Sequence, residues 1–211
     1  MVVVLMIPEA RIRAYAAASW AQAPYFDLAL PALEGAVVLD LAGGPGVYTR
    51  ALLERGARRV VWHDASRTLC ELAREKLSGL AGVEWRVGDM ADLSGYADAS
   101  FDGVFFRDAL HHARDEARVL RESARVLKSG GWLYVRFPTV WRVRSEGWRA
   151  GVIAQLPVAL SGWIGGWKPR ATLFTSRRIV RRRLAAAGLS ILEERRSGND
   201  QAVLTRKVRP G

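Results

Sequence analysis

The sequence predicts a single doubly wound α/β domain, with a mostly parallel sheet, helices on its faces and an antiparallel C-terminal hairpin. Three observations predict it. Short apolar runs alternate with helix-like stretches between residues 35 and 138, the rhythm of a parallel sheet built through right-handed crossovers. A glycine-rich turn, Asp40-Leu-Ala-Gly-Gly-Pro-Gly46, follows the first of those runs. Two late segments flank Ser197-Gly-Asn-Asp200, a short-loop hairpin signal.

The elements follow in chain order. Residues 9–34 are alanine-rich and helix-prone, broken by Pro24 and Pro31, and form a helical cap. The core, which the motifs below mark as cofactor-binding, is expected over 35–138. Its first strand, Ala36 to Leu41, is apolar throughout, as a strand covered on both faces must be. A helix over Val47 to Arg55 ends at Gly56. Arg59 to His63 reads as the second strand, and Ser66 as the N-cap of a helix reaching Leu77. Val83 to Val87 and Phe101 to Phe106 read as the third and fourth strands. An amphipathic helix spans Arg114 to Lys128, and Trp132 to Phe137 is the fifth strand, closed by Pro138. The rhythm then lapses over 139–175, the expected insertion or lid, which holds Trp141, Trp148, Trp163 and Trp167. A terminal helix and the hairpin, Leu189 to Glu194 and Gln201 to Lys207, fill 176–211.

Composition excludes some classes. The single cysteine, Cys70, excludes a disulfide framework within the chain and any multi-cysteine zinc site, and no metal is expected. The opening run Met1 to Ile7 is too short to span a bilayer and lacks the features of a signal peptide, so a cytoplasmic protein is expected. The net charge of +11 lies wholly in residues 139–211, which carry 15 basic and 4 acidic residues; residues 1–138 are neutral.

Ligands of doubly wound sheets bind at the carboxyl ends of the strands, and three suitable features fall at three successive ends. Gly43, Gly44 and Gly46 let backbone approach a ligand closely. Asp64, after the second strand, suits the vicinal hydroxyls of a ribose. Asp89, after the third, suits an exocyclic amine such as that of adenine, and Met90 beside it suits a flat ring. A dinucleotide fingerprint is disfavoured, because the loop lacks the last glycine of G-x-G-x-x-G.

These residues resemble the motifs of class I S-adenosylmethionine-dependent methyltransferases. Asp40 to Gly46 is similar to their D-x-G-x-G-x-G loop, Val-Val-Trp-His-Asp64 to their second motif, and Gly88-Asp89-Met90 to their third. Phe101-Asp-Gly-Val-Phe, Leu110-His-His and Arg125-Val-Leu-Lys-Ser-Gly-Gly131 resemble later segments of the subgroup that includes quinone-ring methyltransferases. The resemblance implies a Rossmann-like fold, S-adenosyl-L-methionine as cofactor, and contacts to it from Asp40, Ala42, Gly43, Gly44, Gly46, Asp64, Ala65, Asp89, Met90 and Arg107, the last through backbone. Ala42 departs from the motif, standing where a glycine is usual. It fits if the backbone there stays at negative φ.

Methyl transfer from a sulfonium demands positioning and desolvation more than acid–base groups. His111, with His112 beside it, is the candidate base near neutral pH, set against plain packing at a helix start. Arg107-Asp-Ala-Leu110 stands where methyltransferases of nucleobase or glutamine amino groups carry an N/D-P-P-Y motif, which disfavours those substrates. Tyr15 and Trp20 lie on the helix expected to close over the cofactor.

The expected acceptor is a small, apolar or ring-containing molecule beneath the 139–175 lid. The arginine-rich run Arg177 to Arg183 leaves RNA or an anionic membrane surface as alternative partners, and a solvated helix face as the plain reading. A cofactor-binding module without transfer activity is the non-enzymatic alternative.

Overall fold

The structure is a computed structural model that describes residues 8–113, 115–138, 177–198 and 200–208. The expectations for residues 1–7 and for the 139–175 lid, with its four tryptophans, lie outside the described residues.

The elements in chain order are α1 (Glu9–Trp20), β1 (Val37–Leu41), α2 (Val47–Glu54), β2 (Arg59–Asp64), α3 (Arg67–Lys76), β3 (Val83–Val87), β4 (Phe101–Arg107), a 3-10 turn (Leu110–His112), α4 (Glu116–Val126), β5 (Leu127–Pro138), α5 (Arg177–Ala186), β6 (Leu189–Ser197) and β7 (Asp200–Lys207). They form one seven-stranded sheet in the order β3-β2-β1-β4-β5-β7-β6. β1 to β5 run parallel, while β7 pairs antiparallel with both β5 and β6. The Rossmann-like expectation with an antiparallel hairpin therefore holds.

β1 occupies the centre because every one of its residues is buried, as its apolar run requires. Side chains alternate between two cores. Leu39, Leu41, Val61 and Phe106 pack with Val119 and Leu120 of α4 and with Val180 and Leu184 of α5. Val38, Val60, Phe105 and Tyr134 pack on the opposite face with Leu52 of α2 and Leu28 of the segment before β1. Each such burial contributes about 1.5–3 kcal/mol. Val180 and Leu184 are fully buried, so the arginines of α5 are confined to its outer face. The predicted cap holds as well: Ser66 Oγ accepts a hydrogen bond from the Leu69 N–H at 3.2 Å.

Two boundaries differ from expectation: β6 runs on to Ser197 rather than ending at Glu194, and the junction of α4 and β5 is shifted. α4 ends at Val126, and β5 begins at Leu127 rather than Trp132. Leu127 pairs with Phe101 and Trp132 with Gly103, so Lys128 to Gly131 bulge out of the ladder. Gly130, at φ +77°, supplies the turn.

The topology places the site. From β1 the chain winds outward through β2 to β3, then returns to β4 on the other side of β1. A crevice opens at the carboxyl ends of such a pair, where the crossovers diverge.

Candidate active site

The loop after β1 is held on three sides. Its Gly43 N–H donates to the His63 carbonyl at 3.2 Å. The Gly44 N–H donates to Asp64 Oδ2 at 3.0 Å. From beneath, the fully buried Trp62 donates its Nε1–H to the Gly44 carbonyl at 3.0 Å. A Cβ on Gly43 would lie 2.5 Å from the Trp62 ring, so only glycine fits there. Gly44 stands at φ +55°, and Gly46 caps α2 at φ +87°.

Ala42 corrects the sequence reading. It adopts φ +58°, not the negative φ that would accommodate alanine without cost. The three hydrogen bonds that follow it fix the course of the loop, and Ala42 takes the left-handed conformation at a cost of about 1–2 kcal/mol.

Two aspartates flank this loop. Asp40 is 2 % exposed, and its Oδ2 accepts the Thr49 hydroxyl at 2.5 Å. Burial pushes its carboxyl up to about 7; the Thr49 bond opposes the rise and the nearby Asp64 charge adds to it. Asp64 ends β2, with Oδ2 bonded to the Gly44 N–H and Oδ1 to the Ser66 N–H at 2.9 Å. Burial raises its pKa too, against the backbone donors of Ser66 and Gly44. A carboxylate offers about four lone-pair positions, so two remain for a ligand. Ala65 follows it, exposed.

Asp89 is exposed beyond β3, its Oδ1 accepting from the Ala91 N–H at 2.8 Å. The group that orients it was not anticipated from sequence. His63 lies 3.2 Å through Nε2 from the Asp89 carbonyl, which can only accept, so Nε2 carries the proton. Nδ1 then accepts from the Tyr96 hydroxyl at 2.8 Å. Burial lowers the His63 pKa, which keeps this neutral tautomer in place. Met90 packs partly buried against the α4 core.

A cleft of about 430 Å³ opens from the loop toward β4 and β5. Asp40, Ala42, Gly43, Gly44, Arg107 and Tyr15 line it; Gly46, Asp64, Ala65, Asp89 and Met90 do not. Helix α1 lies over it, pinned by the Trp20 Nε1–H, which donates to the Pro45 carbonyl at 2.9 Å. The Tyr15 hydroxyl lies 3.6 Å from where a Cβ on Gly44 would be, directly over the loop. His111 sits in the 3-10 turn with its ring 4.0 Å from that of His112 and is not among the residues lining the cleft.

The far half of the cleft is built from residues the sequence did not single out. Arg136 of β5, 6 % exposed, pairs with Asp27 at 2.9 Å, with Asp200 at 2.7 Å and with Asp108. It also donates to the Tyr25 hydroxyl at 3.1 Å, and the Tyr134 hydroxyl donates to Asp27 at 3.1 Å. Arg107 ends β4 with its guanidinium 4.4 Å from the Tyr25 ring centre and 4.7 Å from that of Tyr48. One signal was available: an arginine inside the apolar strand Trp-Leu-Tyr-Val-Arg-Phe must be paired if the strand is buried.

The architecture meets a known family. Residues 39–135 match the family model described as a methyltransferase domain. A ubiquinone biosynthesis O-methyltransferase of Xanthomonas campestris is 35% identical over 105 residues, covering 49% of this chain and 44% of that protein. A ubiquinone/menaquinone biosynthesis C-methyltransferase of Hydrogenovibrio crunogenus is 37% identical over 106 residues, covering 48% and 41%. The matched stretch thus spans less than half the length of these curated relatives. Among solved structures, an S-adenosylmethionine-dependent methyltransferase from Mesorhizobium loti superposes with a TM-score of 0.66 at 19% identity, covering 84% of this chain and 93% of that one. One from Aquifex aeolicus gives 0.64 at 18% identity, covering 96% and 100%. The fold and the residues matched agree: the 39–135 core is similar to a methyltransferase domain, and the chain has the fold of these solved S-adenosylmethionine-dependent methyltransferases.

Proposed function

We propose that this protein transfers a methyl group from S-adenosyl-L-methionine to a small, ring-containing molecule in the cytoplasm. The observation that carries the reading is the set of three ligand-directed features at the carboxyl ends of β1, β2 and β3: a strained loop, a half-buried Asp64 with lone pairs to spare, and Asp89 held by His63. The residues fit the cofactor. Close backbone approach at Gly43 and Gly44 suits its methionine part. Asp40 stands ready for an ammonium group, Asp64 for the ribose hydroxyls, and Asp89 with Met90 for the adenine. Ala65 and the backbone of Arg107 complete the contacts, and Tyr15 closes over them.

Bound S-adenosyl-L-methionine supplies a methyl group already activated by a sulfonium charge. What the chain contributes is position and exclusion of water. Tyr15 on α1 covers the loop, and the cleft beyond it would position the acceptor and exclude water. His111 serves as base only for an acceptor that must lose a proton, and only if it turns toward the cleft. The relatives named for ubiquinone biosynthesis support a ring-bearing acceptor. Residues 1–211 act as one methyltransferase domain in this reading, with 139–175 as its lid.

The arginine face of α5 gives little support to RNA or membrane partners. Arg177 and Arg181 pair with Glu194, and Arg183 with Glu116, within the fold. Among the described residues no helix is long and apolar enough to cross a membrane. Incubating the protein with methyl-labelled cofactor and fractionated extract tests the reading. Label is expected in the small-molecule fraction; label confined to RNA, to lipid or to no fraction would contradict it.

A further inference from the structure

We propose that Arg107 is the anchor of a carboxylate-binding subsite, which recognises an anionic group on the methyl acceptor. The inference rests on the methyltransferase reading and names the chemistry of its acceptor.

The Arg107 side chain is only 10 % exposed, yet its hydrogen-bonding capacity is barely used. Its Nε is buried without a hydrogen bond; the Asp108 carboxylate lies 3.3 Å away but outside bonding geometry. Among the described residues, nothing bonds to its two Nη groups. A largely buried guanidinium whose neighbouring carboxylate is out of line for a hydrogen bond is costly, and a ligand anion would complete it. Arg136, its neighbour on β5, shows the contrast: three aspartates and the Tyr25 hydroxyl take up its donors. Asp27 and Asp200 pair with Arg136, and Asp108 spans the two arginines, its Oδ1 on Arg136 and its Oδ2 3.3 Å from Arg107 Nε, so the Nη groups of Arg107 are left to the cleft.

The guanidinium is also held rigidly. Tyr25 lies on one contact and Tyr48 on the other; Tyr48 stacks on Phe105, and Phe105 on Tyr134. A planar fork fixed this way matches a carboxylate bidentately. Arg107 shares its cleft with Gly43 and Gly44, so titration must separate the acceptor's carboxylate from the cofactor's, and its place in the sheet points to the acceptor. Asp64 and Asp89 lie toward β2 and β3, whereas Arg107 lies on β4, on the side of β1 that faces β5.

Calorimetry with S-adenosylhomocysteine present tests this, using matched probes: 4-hydroxybenzoate against 4-hydroxybenzamide, cinnamate against cinnamamide, and octanoate against octanamide. The wild type is expected to favour the acid over its amide by about tenfold or more in at least one pair. Arg107→Met should erase that preference, and Arg107→Lys should keep part of it. Circular dichroism checks that both variants fold. A parallel titration with S-adenosylhomocysteine and with 5′-methylthioadenosine, which lacks the carboxylate, identifies the source of the anion. Loss of the first in Arg107→Met with the second spared would assign Arg107 to the cofactor and overturn the proposal. So would an acid preference that survives Arg107→Met, or its absence from every pair. Failure of the wild type to bind S-adenosylhomocysteine would instead overturn the methyltransferase reading beneath it.

Discussion

The two halves of the cleft are built by different means. The half over β1, β2 and β3 is made of backbone: a loop at φ +58° and +55°, and N–H groups held by Asp64. The half over β4, β5 and β7 is made of long side chains that meet across the chain. Arg136 joins Asp108, Asp200 and the Tyr25 hydroxyl over sequence separations of 28, 64 and 111 residues. A backbone site can serve one invariant ligand in many proteins, because its geometry follows from the strand–loop–helix unit. A side-chain site can be rebuilt for each acceptor without disturbing the sheet.

Breaking each half should therefore have separate consequences. The largest effect is expected from Arg136→Met, which leaves Asp27, Asp108 and Asp200 without their shared cation. Removing one partner of a buried charge cluster costs about 3–5 kcal/mol, measurable by urea unfolding. An effect below 1 kcal/mol would mean that the cluster behaves as a solvated one, and the contrast would fail. Trp62→Phe comes next. It removes the donor to the buried Gly44 carbonyl and should cost about 1–3 kcal/mol, with affinity for S-adenosylhomocysteine falling as the loop loosens. Unfolding without any change in that affinity would show that Trp62 serves the core alone.

Ala42→Gly sharpens the comparison in the opposite direction. Glycine relieves the left-handed strain but adds freedom to the unfolded chain, for a net gain of about 0.5–1 kcal/mol. Destabilisation would show that the alanine methyl packs to advantage.

A separate handle on the loop is the pH dependence of Asp40. Its carboxyl ordinarily titrates near 3.8 and is pushed up to about 7 by burial. The folded protein therefore keeps a proton that the unfolded chain releases. The stability this contributes is complete below the ordinary value and is lost as pH rises through about 7. Asp40→Asn should remove that decline, so its stability relative to wild type improves from pH 4 to pH 8. A ligand ammonium beside Asp40 favours the ionised form, so binding near pH 6 should release protons and binding near pH 8.5 should not. Calorimetry in buffers of different ionisation enthalpy reads this directly.

What was legible in the sequence follows the same division. The strands from β1 to β4 lie within about a residue of their expected places, because an apolar run between turn residues leaves little choice. The loop and its two following aspartates were legible because their spacing is local. The φ of Ala42 was not, since it is set by bonds from His63 and Asp64 on another strand. Asp27 sits in an aperiodic stretch between Pro24 and Pro31, and nothing nearby announces its pairing with Arg136. The start of β5 was missed because a bulge, not a helix-ending turn, absorbs Lys128 to Gly131.

The central claim is that the ends of β1 to β3 form the cofactor site, with Asp64 at its centre. Titration of S-adenosylhomocysteine into the wild type and Asp64→Ala tests it most directly. Loss of two charge-assisted bonds predicts a fall in affinity of about a hundredfold in a variant that stays folded. Equal affinity in the two proteins would contradict the account.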